Sequence, residues 1–143
     1  MLLGEFQHSV DKKGRVFMPA KLREELGEKF IATRGIGKCL FVFPMDMWNE
    51  LYEKLRQLPL TDKGAQQFTR MLFASATECE PDKQGRILLP QRLREYAGIE
   101  EEATVIGVMT RVEIWSPENW SEYNNGSEDD FDDTLANLAG RGI

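Results

Sequence analysis

The sequence predicts an α+β domain built from two pseudo-symmetric copies of one small unit, and three observations carry that prediction. The stretch Asp11-Lys-Lys-Gly-Arg-Val-Phe-Met-Pro-Ala-Lys-Leu-Arg-Glu24 returns 71 residues later as Asp82-Lys-Gln-Gly-Arg-Ile-Leu-Leu-Pro-Gln-Arg-Leu-Arg-Glu95, with eight of 14 aligned positions identical. A repeat of this kind fixes the architecture before any local reading does. In both copies, strand-like alternation passes into a short helical stretch and then back to β-rich segments, in the same order. Finally, each unit spans only roughly 45 residues, too few to bury a stable core alone. The two copies are therefore expected to share one core.

Each element has a local reason. Glu5 to Asp11 alternates, with Phe6, His8 and Val10 on one face, which is the period of a half-buried strand. Lys12-Lys13-Gly14 makes a turn in which Gly14 supplies a positive φ or a bulge. Arg15 to Met18 is the returning strand. Pro19 suits the first turn of a helix, which carries Leu22 and Leu26 and stops at Gly27. Phe30–Thr33 and Cys39–Phe43 read as two strands around the tight Arg34-Gly-Ile-Gly37 turn. The second copy repeats this order through Ala103 to Trp115.

Between the copies lies a helical insert. Pro44 opens a helix with Met47, Trp48, Leu51, Leu55 and Leu58 at helical spacing, and Pro59 ends it. Thr61 is expected to cap a second helix, from about Asp62 to Ser75, that turns Phe68, Leu72 and Phe73 inward. After the second copy, Ser116-Pro117-Glu118 caps a short helix containing Trp120, and Asn124-Asn-Gly126 is expected to break it. Ser127 is expected to cap a last acidic helix, Glu128 to Ala139, with Phe131, Leu135 and Leu138 apolar. The organisation predicted is thus unit one over 5–48, insert over 49–75, unit two over 76–120 and an acidic tail over 121–143.

Charge is unevenly placed. The net charge of −6 hides a division: residues 1–99 carry 16 Lys/Arg against 13 Asp/Glu, whereas residues 100–143 carry 2 against 11. Residues 10–23 hold five bases and one acid, and residues 82–94 hold four and one. Local patches, more than the total, set an electrostatic footprint. The start, Met1-Leu-Leu-Gly-Glu-Phe-Gln, has no basic region and reads as no signal peptide. The longest apolar run, Leu40–Phe43, is far too short to span a bilayer. Cys39 and Cys79 form no CxxC pattern and read as buried, reduced thiols of a cytoplasmic protein.

The motif that carries chemistry is Asp-x-x-Gly-Arg, at Asp11/Gly14/Arg15 and Asp82/Gly85/Arg86. A carboxylate at one strand end can grip a guanidinium at the other bidentately, ordering the arginine and the neighbouring Lys12, Lys13 and Lys83. A two-stranded ribbon fits the major groove, where arginine reads guanine edges. The plainer reading is a surface ion pair that tidies a hairpin and contributes little. Recurrence of the polar residues together with the packing residues favours binding, and Arg15 and Arg86 are expected to be exposed. Lys21, Arg23, Arg92 and Arg94, near the helix starts, either reach phosphates or sit on a wet face.

With these motifs in view, the chain resembles the MraZ family, bacterial regulators of the division and cell-wall gene cluster. The resemblance rests on Asp-x-x-Gly-Arg in both copies, on Gly4-Glu5-Phe6-Gln7-His8-Ser9-Val10-Asp11, and on Phe68-Thr69-Arg70 with Ala74-Ser75-Ala76-Thr77-Glu78-Cys79-Glu80. It covers residues 1–123. It implies two AbrB-like (SpoVT-AbrB) swapped-hairpin β-barrel halves. It also implies sequence-specific binding of double-stranded DNA at short direct repeats upstream of the protein's own operon, by a ring-like homo-oligomer associated with the nucleoid. The DNA-contacting motif would fall on Lys13, Gly14, Arg15, Gly85 and Arg86, with Asp11 and Asp82 orienting the arginines. Gln84 stands where the first copy has the basic Lys13, so the copies need not contact DNA equally.

Other chemistries find no support in the residues. No nucleophile–base pair, metal-ligand cluster or phosphate loop stands out, so neither an enzyme nor a cofactor, metal or small-molecule substrate is expected. His8 reads as a core histidine and the acids of 128–133 as a solvated helix face. Trp48, Trp115 and Trp120 read as core or subunit-interface anchors. The alternative function is an AbrB-like antitoxin or interaction module that presents its tail to a protein partner.

Overall fold

The computed structural model of the protein describes residues 1–127 and 130–143. The first copy contributes β1 (Leu2–Ser9), β2 (Arg15–Phe17), α1 (Ala20–Leu26), β3 (Phe30–Arg34) and β4 (Leu40–Pro44). Two helices follow, α2 (Met45–Arg56) and α3 (Lys63–Ala74). The second copy repeats the order as β5 (Thr77–Cys79), β6 (Arg86–Leu88), α4 (Gln91–Ala97), β7 (Glu102–Met109) and β8 (Arg111–Trp115). It is followed by α5 (Pro117–Ser127), α6 (Phe131–Leu138) and a last 3₁₀ turn, Ala139–Arg141.

The copies are interleaved rather than laid side by side. One antiparallel sheet runs in the order β1-β7-β8-β4-β3-β5, and β2 pairs with β6 in a separate two-stranded ribbon. Exchanging the copies turns the sheet order into its own reverse, which is the pseudo-two-fold symmetry the repeat requires. The returning strand Arg15–Phe17 therefore forms no ladder with β1, meeting the segment just after it through an isolated bridge, Val10 to Val16. Its ladder is with the other copy, Val16 opposite Ile87. Met18 N–H donates to Gly85 O and Leu89 N–H to Gly14 O, each at 2.9 Å, closing the exchange on both sides. The sheet stays open, with β1 and β5 at its edges.

The shared core is assembled from matching positions. Val16 and Ile87, Met18 and Leu89, and Leu22 and Leu93 are all at most 1% exposed, and Phe30, Leu40, Val105 and Ile114 fill the space between them. Each such side chain contributes about 1.5–3 kcal/mol by leaving water. Two smaller clusters flank this core. Trp48 and Leu72, from α2 and α3, cover Ile31, with Trp48 and Phe73 ring centres 4.6 Å apart. On the other flank Trp115, Trp120 and Tyr123 gather over Cys39 and Ile106. Cys39 and Cys79 are free and buried, and burial pushes their thiols up to about 12 and about 11.

Several local expectations change. α3 is capped by Asp62, whose carboxylate accepts the Ala65 N–H, in place of Thr61. α2 stops at Arg56, short of Pro59, leaving Leu58 exposed. Phe68 is 40% exposed although α3 buries Leu72 beside it. His8 is only half-buried and sits edge-on to Phe17, so it is not a core residue. Asn124-Asn-Gly126 does not break α5, which continues to Ser127 because Trp120 and Tyr123 anchor it on Trp115. The start of the last helix at Glu128, and the Ser127 side chain expected to cap it, lie outside the described residues.

Candidate nucleic-acid interface

Alternation along the ribbon decides what it presents. Val16 and Ile87 point into the core, so Arg15, Phe17, Arg86 and Leu88 point outward. Arg15 lies opposite Leu88 and Arg86 opposite Phe17. The two arginines are therefore diagonal neighbours, one from each copy, on one outer face. Leu88 is 58% exposed, whereas Phe17 is covered by His8 and by the Arg23 guanidinium 5.3 Å from its ring centre.

Each turn is built around its aspartate. Asp11 Oδ1 accepts the backbone N–H groups of Lys13 and Arg15, both at 2.9 Å, while Oδ2 accepts Arg15 Nε–H at 2.7 Å. Asp82 repeats the arrangement, with Gln84 N, Arg86 N and Arg86 Nε each at 2.9 Å. The expected bidentate grip is thus replaced by a divided one. One carboxylate oxygen closes the turn and the other holds Nε, leaving the arginine's terminal Nη groups unspent on that carboxylate. The backbone N–H of the turn arginine, followed by its side chain, holds each carboxyl below the usual range. The copies differ in one respect: Arg86 Nη1 also lies 3.8 Å from Asp11 Oδ2, so Asp11 faces both arginines. The arginine side chains are 30% and 31% exposed, partly packed where exposed side chains were expected.

The glycines are required twice over. Gly14 and Gly85 have φ of +86° and +80°. A Cβ on Gly14 would fall 2.6 Å from Arg94 Nε, and one on Gly85 would fall 2.7 Å from Arg23 Cζ. Each helix arginine thus sits against the turn of the opposite copy. Both are fixed there by donating Nε–H to a backbone carbonyl, Arg23 to Met18 O at 2.8 Å and Arg94 to Leu89 O at 2.9 Å. The sequence offered one signal for this buttress, the recurrence of Arg23 as Arg94, but could not say which turn each supports.

The remaining candidate residues divide. Lys12, Lys13 and Lys83 are exposed beside the turns, as is Lys21 on α1. Arg92 instead turns to Ser75 O at 3.3 Å, at the end of α3. The ribbon therefore gathers Asp11, Gly14, Arg15, Asp82, Gly85 and Arg86 with three flanking lysines, while Arg23 and Arg94 support it from beneath.

Comparison with known proteins agrees with this two-fold construction. A family profile described as "MraZ protein, putative antitoxin-like" matches residues 1–71 and again 72–142. A protein of Caldanaerobacter subterraneus named Transcriptional regulator MraZ is 54% identical over 138 residues, 96% of each chain. Proteins of the same name are similar in Desulfitobacterium hafniense, 52% identical over all 143 residues of both chains, and in Caldicellulosiruptor saccharolyticus. The latter is 62% identical over 120 residues, 84% of each chain.

Proposed function

The chain belongs to the MraZ family, and on that premise we propose that it is a sequence-specific DNA-binding transcriptional regulator that reads the major groove with its β2–β6 ribbon. One observation carries the reading: two arginines from different copies stand diagonally on one outward face, each held at Nε by its own turn aspartate. Holding Nε leaves Arg15 both Nη groups, and Arg86 its Nη2 with Nη1 facing Asp11, to donate to a guanine edge. Lys12, Lys13 and Lys83 would contact flanking phosphates, which position a protein without reading sequence.

One protomer offers two arginines and a few lysines on an acidic chain, which is little for tight binding. Several protomers acting together raise the effective concentration of each contact, multiplying affinity by about 10²–10⁴. The proposal is therefore a ring-like homo-oligomer on short direct repeats upstream of its own operon, repressing the division and cell-wall genes there. Repeats on one face of the duplex recur about every 10 bp. Gel shifts with DNA from upstream of the protein's gene, at several salt concentrations, test this. Inserting about 5 bp between repeats should abolish most binding, and about 10 bp should restore part of it. Binding indifferent to spacing would overturn the multi-site mechanism. The family description also names an antitoxin-like character, so a second reading is an interaction module for a protein partner. Failure to shift any such DNA, together with a stable one-to-one complex with another protein, would select it.

A further inference from the structure

Outside the ribbon, two surfaces of the chain complement each other. The first is a cleft of about 340 Å³ between α3, the end of β3 and α4, lined by Arg34, Met71, Ser75, Arg92, Leu93 and Tyr96. It continues past Met71 to Phe68 and Ile36. These three rim residues are 45%, 40% and 75% exposed, unusual for large apolar side chains on adjacent elements. The cleft is also cationic. Arg34 lies over the Tyr96 ring at 4.2 Å, Lys38 approaches the same ring at 5.4 Å, and Arg92 sits at the rim. Among the described residues no carboxylate lies within ion-pair distance of any of the three, and Arg34 Nε is buried with no hydrogen-bond partner. Apolar lining with guanidinium groups that have no carboxylate partner selects an occupant that is both apolar and acidic.

The chain carries such an occupant. Helix α6 places Phe131, Leu135 and Leu138 on one face at i, i+4 and i+7, with Asp132 and Asp133 in its first turn. Phe131 is 67% and Leu135 46% exposed, and no residue of the helix is buried. An eight-residue helix has little stability of its own in water, so this face needs a partner. The internal symmetry makes the same point. α2 and α3 follow β4 as α5 and α6 follow β8, and α3 is docked by Leu72 and by Thr33 Oγ1 donating to Leu72 O. Among the described residues, no side chain of α6 is fully buried on its own protomer.

We propose that α6 of one copy docks by its apolar face in the α3–α4 cleft of a second copy, with Asp132, on the flank of that face, meeting Arg34 and Arg92. The lining of the cleft is not repeated in the other half, where Glu25 stands at the repeat position of Tyr96. Donor and acceptor are thus different surfaces of the same chain. Contacts of that type run head to tail and close into a ring or extend as a filament. The inference rests on the oligomeric reading above and supplies its interface. Of the three tryptophans, Trp48 and Trp115 are buried inside the protomer and do not serve here.

The test mixes two full-length proteins, one Met71→Cys and one Leu135→Cys, under mild oxidation. Cys39 and Cys79 are buried and stay out of the exchange. A disulfide between the two different chains is expected. In parallel, Phe131→Asp with Leu135→Asp, or Arg34→Glu with Arg92→Glu, should reduce the light-scattering mass to that of the 16.4 kDa chain. Adding Asp132→Lys to the Arg34→Glu/Arg92→Glu protein should restore part of the assembly. An assembled parent that yields no cross-link, and keeps its mass in both sets of variants, overturns the interface while leaving the oligomeric reading intact. A chain carrying both cysteines that cross-links only within itself also overturns it. A parent that is monomeric at every concentration removes both.

Discussion

Replacing Gly14 with Ala tests the buttressed turn most sharply. The residue has φ +86°, and leaving glycine there costs about 1 kcal/mol of backbone strain. The new Cβ would stand 2.6 Å from Arg94 Nε, so the guanidinium must leave its bond to Leu89 O. Losing a charged hydrogen bond of this kind costs about 2 kcal/mol. The expected destabilisation is about 3 kcal/mol, near 10 °C in Tm for a domain of this size. Arg94→Ala alone loses the bond but not the backbone conformation, about 2 kcal/mol. Independent effects would sum to about 5 kcal/mol in the double variant, but the clash disappears once Arg94 is gone, so about 3 is expected. Chemical denaturation of the four proteins measures this coupling. Strict additivity, or a Gly14→Ala protein as stable as the parent, would refute the buttress.

Four further outcomes follow from the same geometry. Asp11→Asn should weaken operator binding more than Asp82→Asn, because Asp11 faces both Arg15 and Arg86; filter-binding titrations compare them, and tighter binding would show the aspartate to be merely a repelling charge. Because both carboxyls titrate below their ordinary value near 3.9, their contribution to stability is fully present above that pH and fades as pH falls through the lower folded values. The stability gap between the parent and the Asp11→Asn/Asp82→Asn protein should therefore be constant from pH 7 to about 4 and shrink below it; a gap that closes by pH 6 would contradict this. Glu113, 7% exposed and bound by Arg111 and the Trp115 Nε1–H, should cost about 2–3 kcal/mol when changed to Ala, read by urea denaturation. Gly85→Ala should mirror Gly14→Ala, relieved in turn by Arg23→Ala, since Arg23 lies against Gly85; denaturation midpoints decide it.

What was legible in the sequence was whatever local chemistry determines. Pro19 and Pro90 mark helix starts, Val16/Ile87 and Met18/Leu89 mark the core, and the Asp-x-x-Gly-Arg turn announces itself twice. The exchange of strands was not legible from alternation, because a hairpin and a swapped hairpin share one local pattern. The choice lies in long-range bonds such as Met18 N–H to Gly85 O, and only family resemblance anticipated it. Asn124-Asn-Gly126 looked like a break because propensity ignores the packing of Trp120 and Tyr123 on Trp115. Thr61 and Asp62 are adjacent capping types, of which Asp is the stronger, and Asp62 takes the cap. The roles of Arg23 and Arg94 were hidden for the same reason as the swap: each supports a turn that is remote in sequence.

The measurement that bears most directly on the account is operator affinity of the Arg15→Ala/Arg86→Ala protein against the parent at one salt concentration, with melting curves of both. Each lost bidentate contact should cost about 1–3 kcal/mol, roughly 5- to 150-fold per site. Tm should change little, because Val16 and Ile87 hold the ribbon from the core side. A double variant that melts like the parent and binds the operator as tightly would contradict the claim that these two arginines read the DNA.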